Sequence, residues 1–212
     1  MSAPAPDRPL RYLALGDSYT VGEDVDPAQS WPAQLVRVLG AEGIAVDGPR
    51  IIATTGWTTD ELDAAIDAAQ PAHDHDLVSL LIGVNNQYRG RSVEEYAAQF
   101  AALLDRAVGF AGGDRARVFV LSIPDWGVTP FAAASDRDTE TIATQIDAFN
   151  AAAARRCQEL GVTFIDITPV SRAHGAQADM IAPDGLHPSA RMYTLWTRLA
   201  LPAVRHLLQR SD

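Results

Sequence analysis

Two short runs in this chain hold residues that could do chemistry together. Gly16-Asp17-Ser18 follows an apolar stretch ending at Leu15, and far downstream Asp184-Gly185-Leu186-His187 sets a carboxylate and an imidazole three residues apart. A strand that ends in a tight Gly-Asp turn can expose a hydroxyl. A carboxylate close to a histidine can orient it as the general base that a serine requires. Each run alone is unspecific, since Gly-Asp-Ser is also an ordinary turn or helix cap. Together they read as a serine hydrolase. Ser18 attacks, His187 takes its proton, and Asp184 holds the Nδ1 proton of His187, which fixes the tautomer and stabilises the imidazolium.

Elements must carry these residues to one place. Short apolar runs rich in β-branched residues alternate with longer, alanine-rich amphipathic segments, the pattern of an α/β chain whose parallel sheet is covered by helices on both faces. Strands are expected near 10–15, 50–53, 77–82, 118–123 and 163–165, and helices near 31–39, 59–69, 93–108, 138–160 and 190–209. Ser30, Thr58, Ser92 and Ser189 are the start signals. In open α/β sheets ligands sit at the carboxyl ends of the strands. Ser18, Gly56, Asn85 and Pro124-Asp125-Trp126 all follow directly after expected strands, so they should converge on one rim.

Four sparse blocks, in order along nearly the whole chain, resemble those of the SGNH, or GDSL-type, esterase and lipase family. Ser18 in Gly16-Asp17-Ser18-Tyr19-Thr20 matches the nucleophile block and Gly56 in Ala53-Thr54-Thr55-Gly56-Trp57 the glycine block. Asn85 in Gly83-Val84-Asn85-Asn86 matches the asparagine block, and Asp184 with His187 the last. The resemblance implies a flavodoxin-like three-layer α/β/α sandwich with five parallel strands. It also implies an oxyanion hole formed by the backbone amides of Ser18 and Gly56 and the side-chain amide of Asn85, where each lost donor typically costs about 2.7 to 4 kcal/mol. One position departs from the family pattern: Asn86 stands where the third block commonly has aspartate, which leaves the bonding of that loop open. The α/β-hydrolase elbow, Gly-x-Ser-x-Gly, is not matched, because Thr20 occupies the place of its second glycine.

The 212 residues suit a single domain over 10–210, preceded by a proline-rich, flexible segment over 1–9 that lacks the apolar region of a secretory signal. With 47% hydrophobic and 21% charged residues the chain is globular. No run reaches the roughly 18 apolar residues of a membrane span. A formal charge of -10 disfavours nucleic acid and anionic bilayers as partners. The single cysteine, Cys157, is read as a packed side chain and leaves no disulfide to form, so a cytoplasmic location is expected. His73-Asp74-His75-Asp76 has the residue types of a metal site, but it precedes a strand at the opposite rim and alternates its side chains. It is therefore read as a solvated connection, and His174 and His206 as surface or packed helix residues.

The expected activity is hydrolysis of a small, soluble carboxylic ester through an acyl-Ser18 intermediate, with no metal or organic cofactor. Trp126, Val128 and Phe131, with Tyr88 nearby, form an apolar rim loop that could line the acyl or leaving-group pocket. An acyltransferase or thioesterase would use the same site. A catalytically idle ligand-binding module and a metal-dependent phosphodiesterase are the readings from other classes. Oligomeric state is left open.

Overall fold

The computed structural model describes residues 8–210. Of the segment expected to be flexible, residues 1–7 lie outside these. Arg8 is held by a hydrogen bond of 2.6 Å to the Asp76 carboxylate.

The apolar runs form β1 (Tyr12–Gly16), β2 (Arg50–Ala53), β3 (Leu77–Leu81), β4 (Val118–Leu121) and β5 (Thr163–Ile165). They pair in parallel in the order β2-β1-β3-β4-β5. This is the flavodoxin-like order, and its reversal between β1 and β3 opens a crevice at the carboxyl ends. Strands β1, β3 and β4 are buried along their whole length, which is why they read as unbroken apolar runs rather than alternating ones.

The long amphipathic segments form α2 (Trp31–Ala41), α3 (Thr59–Ala69), α5 (Val93–Phe110), α7 (Thr139–Leu160) and α9 (Ala190–Arg210). Helix α2 packs on α9, while α3 packs on α5 and α5 on α7. Right-handed crossovers set these two groups on opposite faces of the sheet. The result is the three-layer α/β/α sandwich that the resemblance implies. Trp31 and Trp196 join α2 and α9 in the core, with the Trp31 ring edge-on to Phe119 of β4 at 6.1 Å.

Three features differ from the expectation. Strand β1 starts at Tyr12 rather than 10, because Leu10 bridges Val46 outside the sheet. Strands β3 and β4 end at Leu81 and Leu121 rather than 82 and 123. Beyond β4 the amide of Ile123 donates to the Asn150 side chain (2.7 Å) instead of to a neighbouring strand. Short helices also fill segments in which no element was expected: α1 (Ser18–Val21), α4 (Val84–Tyr88), α6 (Pro130–Ala133) and α8 (Thr168–His174). One or two turns are too short to display a 3.6-residue period, and tertiary contacts rather than propensity hold them.

The start signals behave individually. Thr58 forms a full capping box with Glu61, and Ser92 accepts from the amide of Glu95. Ser30 makes no side-chain cap, its hydroxyl donating instead to the Pro27 carbonyl (2.9 Å). Ser189 accepts from the Met192 amide at 3.4 Å at the start of α9 while its hydroxyl donates to the Asp179 carbonyl. The His73–Asp76 run disperses its side chains. His73 meets the Gly109 carbonyl, Asp74 pairs with Arg11, and Asp76 accepts from Arg8 and the Arg11 amide. It is not a wholly solvated connection, because His75 is buried. His174 ends α8 half-buried, and His206 is exposed on α9.

Candidate active site

Ser18 leaves β1 as the first residue of α1 and is buried. Asp17 caps that helix by accepting from the Tyr19 amide at 3.1 Å. As the first residue of a helix, Ser18 has an amide with no intrahelical acceptor. Gly16 permits the turn: a Cβ there would stand 2.5 Å from the Leu81 carbonyl of the adjoining β3.

Burial pushes the Asp17 carboxyl up to about 7, only partly opposed by bonds from the backbone amides of Tyr19 and Gly83. Its Oδ2 and the neighbouring Thr20 hydroxyl are buried without hydrogen-bond partners among the described residues. The unfolded chain releases this proton near 4, so between about 4 and 7 the folded chain binds more protons and stability falls as pH rises. Asp17→Asn keeps an oxygen acceptor for the Tyr19 amide. It is expected to be close to neutral at pH 4 and stabilising by on the order of a few kcal/mol at pH 8. Denaturant unfolding at both pH values checks this, and equal slopes in parent and variant would refute it.

Asp184 and His187 are carried on one hairpin. Its stem is an antiparallel bridge between Ile181 and Pro188, with the Ala182 amide donating to the His187 carbonyl (2.8 Å). At the tip, Asp184 Oδ1 accepts from the amides of Leu186 (2.9 Å) and His187 (3.0 Å), and Oδ2 lies 2.5 Å from His187 Nδ1. Burial alone would raise the Asp184 carboxyl. The bonds from the His187 ring and from both amides outweigh it and hold the group below the ordinary carboxylate range. A carboxylate on Nδ1 fixes the proton there and leaves Nε2 as the acceptor.

Tyr19, next to Ser18, packs its ring on the His187 ring at 5.8 Å and on Trp196 of α9 at 6.0 Å. The imidazole is thereby seated beside the Ser18 turn. Among the described residues no hydrogen bond joins the Ser18 hydroxyl to His187. In ligand-free sites such bonds are commonly long and tighten with substrate.

Gly56 lies in a turn closed by a bond from the Trp57 amide to the Thr54 carbonyl (3.3 Å), and its φ of 88° is one that glycine adopts without strain. On one side, Thr55 donates to the carboxylate of Glu23, whose own amide bonds the Ser18 carbonyl. On the other, Asn85 Nδ2 donates to the Trp57 carbonyl at 2.9 Å. A primary amide has two N–H groups, so one remains for a ligand. Asn85 thus sits on α4 rather than on a strand-end turn. Asn86, the position that departs from the family block, is fully buried and bonds Thr59 twice, accepting from its amide (3.1 Å) and donating to its hydroxyl (2.7 Å).

The rim loop is divided. Trp126 is buried, its Nε1 donating to Gln87 Oε1 (2.8 Å), with the exposed rings of Tyr88 and Phe131 at 5.4 and 6.2 Å. Val128 turns away from this wall and packs against Gly175. Gln87, Tyr88, Arg137, Thr141 and Gln145 border a cavity of about 390 Å³. A wider cleft of about 590 Å³, between α2 and α9, touches none of these residues. Among the described residues no group of three or more His, Cys, Asp or Glu is placed to hold a metal ion, and no helix is long and apolar enough to cross a membrane.

Sequence reasoning marked Asn86 only as a departure from the family block. It did not single out Tyr19 or Gln87, for which adjacency to the motif residues was the only signal.

Residues 14–195 match the model of the GDSL-like lipase/acylhydrolase family. No curated protein sequence matches the chain. Among solved structures, that of TesA is similar at 20% identity and TM-score 0.72, covering 93% of this chain and 99% of that one. Axe2, an acetylxylan esterase from Geobacillus stearothermophilus, gives 19% and 0.68, with coverage of 96% and 97%. The lipase/acylhydrolase from Enterococcus faecalis gives 21% and 0.67, with coverage of 92% and 96%. At such identities the likeness establishes the fold, and the family rests on the match over 14–195: the chain belongs to the GDSL-like lipase/acylhydrolase family, a family of ester-hydrolysing enzymes.

Proposed function

We propose that the protein hydrolyses small carboxylic esters through an acyl-Ser18 intermediate. The observation that carries the reading is the Asp184–His187 pair at 2.5 Å, held on a hairpin whose imidazole packs on the residue next to Ser18. Ser18 Oγ attacks the ester carbonyl as His187 Nε2 takes its proton. The tetrahedral oxyanion is met by the amides of Ser18 and Gly56 and by the free N–H of Asn85 Nδ2. His187 then gives its proton to the departing alcohol. Water, activated by the same imidazole, releases the acid and restores Ser18. This chemistry needs no metal.

A small, soluble substrate is favoured by the modest cavity that Gln87, Tyr88, Arg137 and Thr141 border beside Trp126, and by a charge of -10 that opposes docking on anionic lipid. Tyr88 and Ile142 supply its apolar wall, with Trp126 packed on Tyr88 and Phe131 on Trp126. Transfer of the acyl group to an alcohol, or cleavage of a thioester, would use the same intermediate.

A p-nitrophenyl ester series from acetate to palmitate, assayed with EDTA present and paired with fluorophosphonate labelling mapped by mass spectrometry, tests the reading. Chelator-resistant turnover that is fastest on short chains, with the label on Ser18, is the expected result. Absence of turnover together with an unlabelled Ser18 would leave a binding module. Labelling elsewhere would name another nucleophile, and added alcohols forming new esters would identify a transferase.

A further inference from the structure

Arg89 follows the last residue of α4, four residues after Asn85, and its amide bonds the Asn85 carbonyl at 3.0 Å. Its guanidinium reaches across to the glycine turn. Nη2 donates to the Gly56 carbonyl at 2.6 Å, while Nη1 donates to Glu61 Oε1 at 3.2 Å. Glu61 is itself fixed, because its other carboxylate oxygen accepts from the Thr58 amide at 2.8 Å in the capping box of α3. The turn that presents the Gly56 amide is therefore gripped at consecutive carbonyls from a single helix, Gly56 by Arg89 and Trp57 by Asn85.

We infer that Arg89 is a positioning residue for ester hydrolysis, setting the Gly56 amide in register with the Asn85 amide so that both donors meet one oxygen. The inference rests on the reading of Ser18, Gly56 and Asn85 given above. Three arguments carry it. First, the two donors come from segments 29 residues apart in sequence, so their spacing is set by cross-links rather than by chain geometry. Second, glycine at φ 88° has wide conformational freedom, and a turn of this kind holds one orientation only when its carbonyls are tied down. Third, an ion pair as exposed as Arg89–Glu61, with side chains 43% and 40% accessible, contributes little to stability. Its bond to Gly56 is thus better understood as alignment than as folding energy. The planar fork of arginine reaches both Gly56 and Glu61, which the single point charge of lysine cannot do.

The test compares Arg89→Ala and Arg89→Lys with the parent in kcat, KM, inhibition by an alkyl boronic acid, and thermal midpoint. Arg106→Ala, which removes a comparable surface ion-pair network between α5 and α3, serves as the control and is expected to leave kcat unchanged. For Arg89→Ala the expected result is a fall in kcat of about 10- to 100-fold, as a small misplacement of donors produces, with KM within about 2-fold. The boronic acid, which takes the tetrahedral geometry, should weaken by the same factor as kcat, and Arg89→Lys should recover part of both. Unchanged kcat would overturn the inference. So would a rise confined to KM, which would put Arg89 on the substrate, or a loss of kcat matched by the fraction unfolded. Activity surviving Ser18→Ala would instead sink the underlying reading, which separates the two failures.

Discussion

Alanine at Ser18 and alanine at His187 are each expected to lower kcat by about 10⁵- to 10⁶-fold, and the double variant should lose no more than either single one. The hydroxyl is inert without a base, and the base has no proton to take without the hydroxyl, so removing one disables both. What survives should be the contribution of the oxyanion donors and binding, about 10³- to 10⁴-fold over water. The fold should tolerate both changes. Ser18 is held by backbone bonds of its helix, and the His187 amide and carbonyl still close the hairpin through Asp184 and Ala182. Burst-phase and steady-state kinetics on p-nitrophenyl acetate give the numbers. Losses that multiply in the double variant would mean that the two residues act in separate steps.

Asp184→Asn should cost about 10⁴-fold in kcat while leaving the hairpin intact. Asparagine keeps the oxygen that accepts from the Leu186 and His187 amides. It can, however, present an N–H to His187 Nδ1 and so turn the imidazole to the tautomer that cannot accept from Ser18. In the parent, the bonds from His187 and the two amides overcome the effect of burial and keep the Asp184 carboxyl below the ordinary carboxylate range. Asp184 therefore stays ionised through mildly acid conditions, so loss of its charge should not set the acid limb of the kcat/KM profile. A pH–rate profile for parent and variant checks both points. A variant within about 10-fold of the parent would show that Asp184 only shapes the loop.

The sheet and the long helices were legible because burial writes itself into sequence. Continuous apolar runs such as those of β1 and β3 can only lie inside a covered sheet, and the amphipathic stripes of α5 and α7 have the length to display their period. The same logic set Cys157 among packed residues, and the structure buries it completely. Asp184 and His187 were legible as a pair because three residues in a turn leave their side chains within reach of one another.

Contacts between segments distant in sequence were not legible. Nothing near Asn86 indicates that it bonds Thr59, 27 positions earlier, and nothing near Gln87 indicates that it bridges Trp126 and Gln145. Val128 was grouped with Trp126 and Phe131 by apolarity and proximity alone. The tight turn from Trp126 to Val128 sends its side chain toward Gly175 instead. Likewise, Asp17 reads as a polar turn residue, yet packing of the β1 and β3 ends shuts it away from water and alters its acidity.

Cys157 lies on α7 with none of its surface accessible, and burial pushes its thiol up to about 12. Thiol reagents attack the thiolate, so at neutral pH the native chain presents them with almost no nucleophile and no path to one. Modification has to pass through an opening of α7 away from the sheet. The chain consequently carries its own exchange clock, in which the rate of maleimide capture at a single sulfur measures how often the helix layer separates from the strands. A cysteine introduced at an exposed position would be tagged alone, with the native thiol silent until the core gives way.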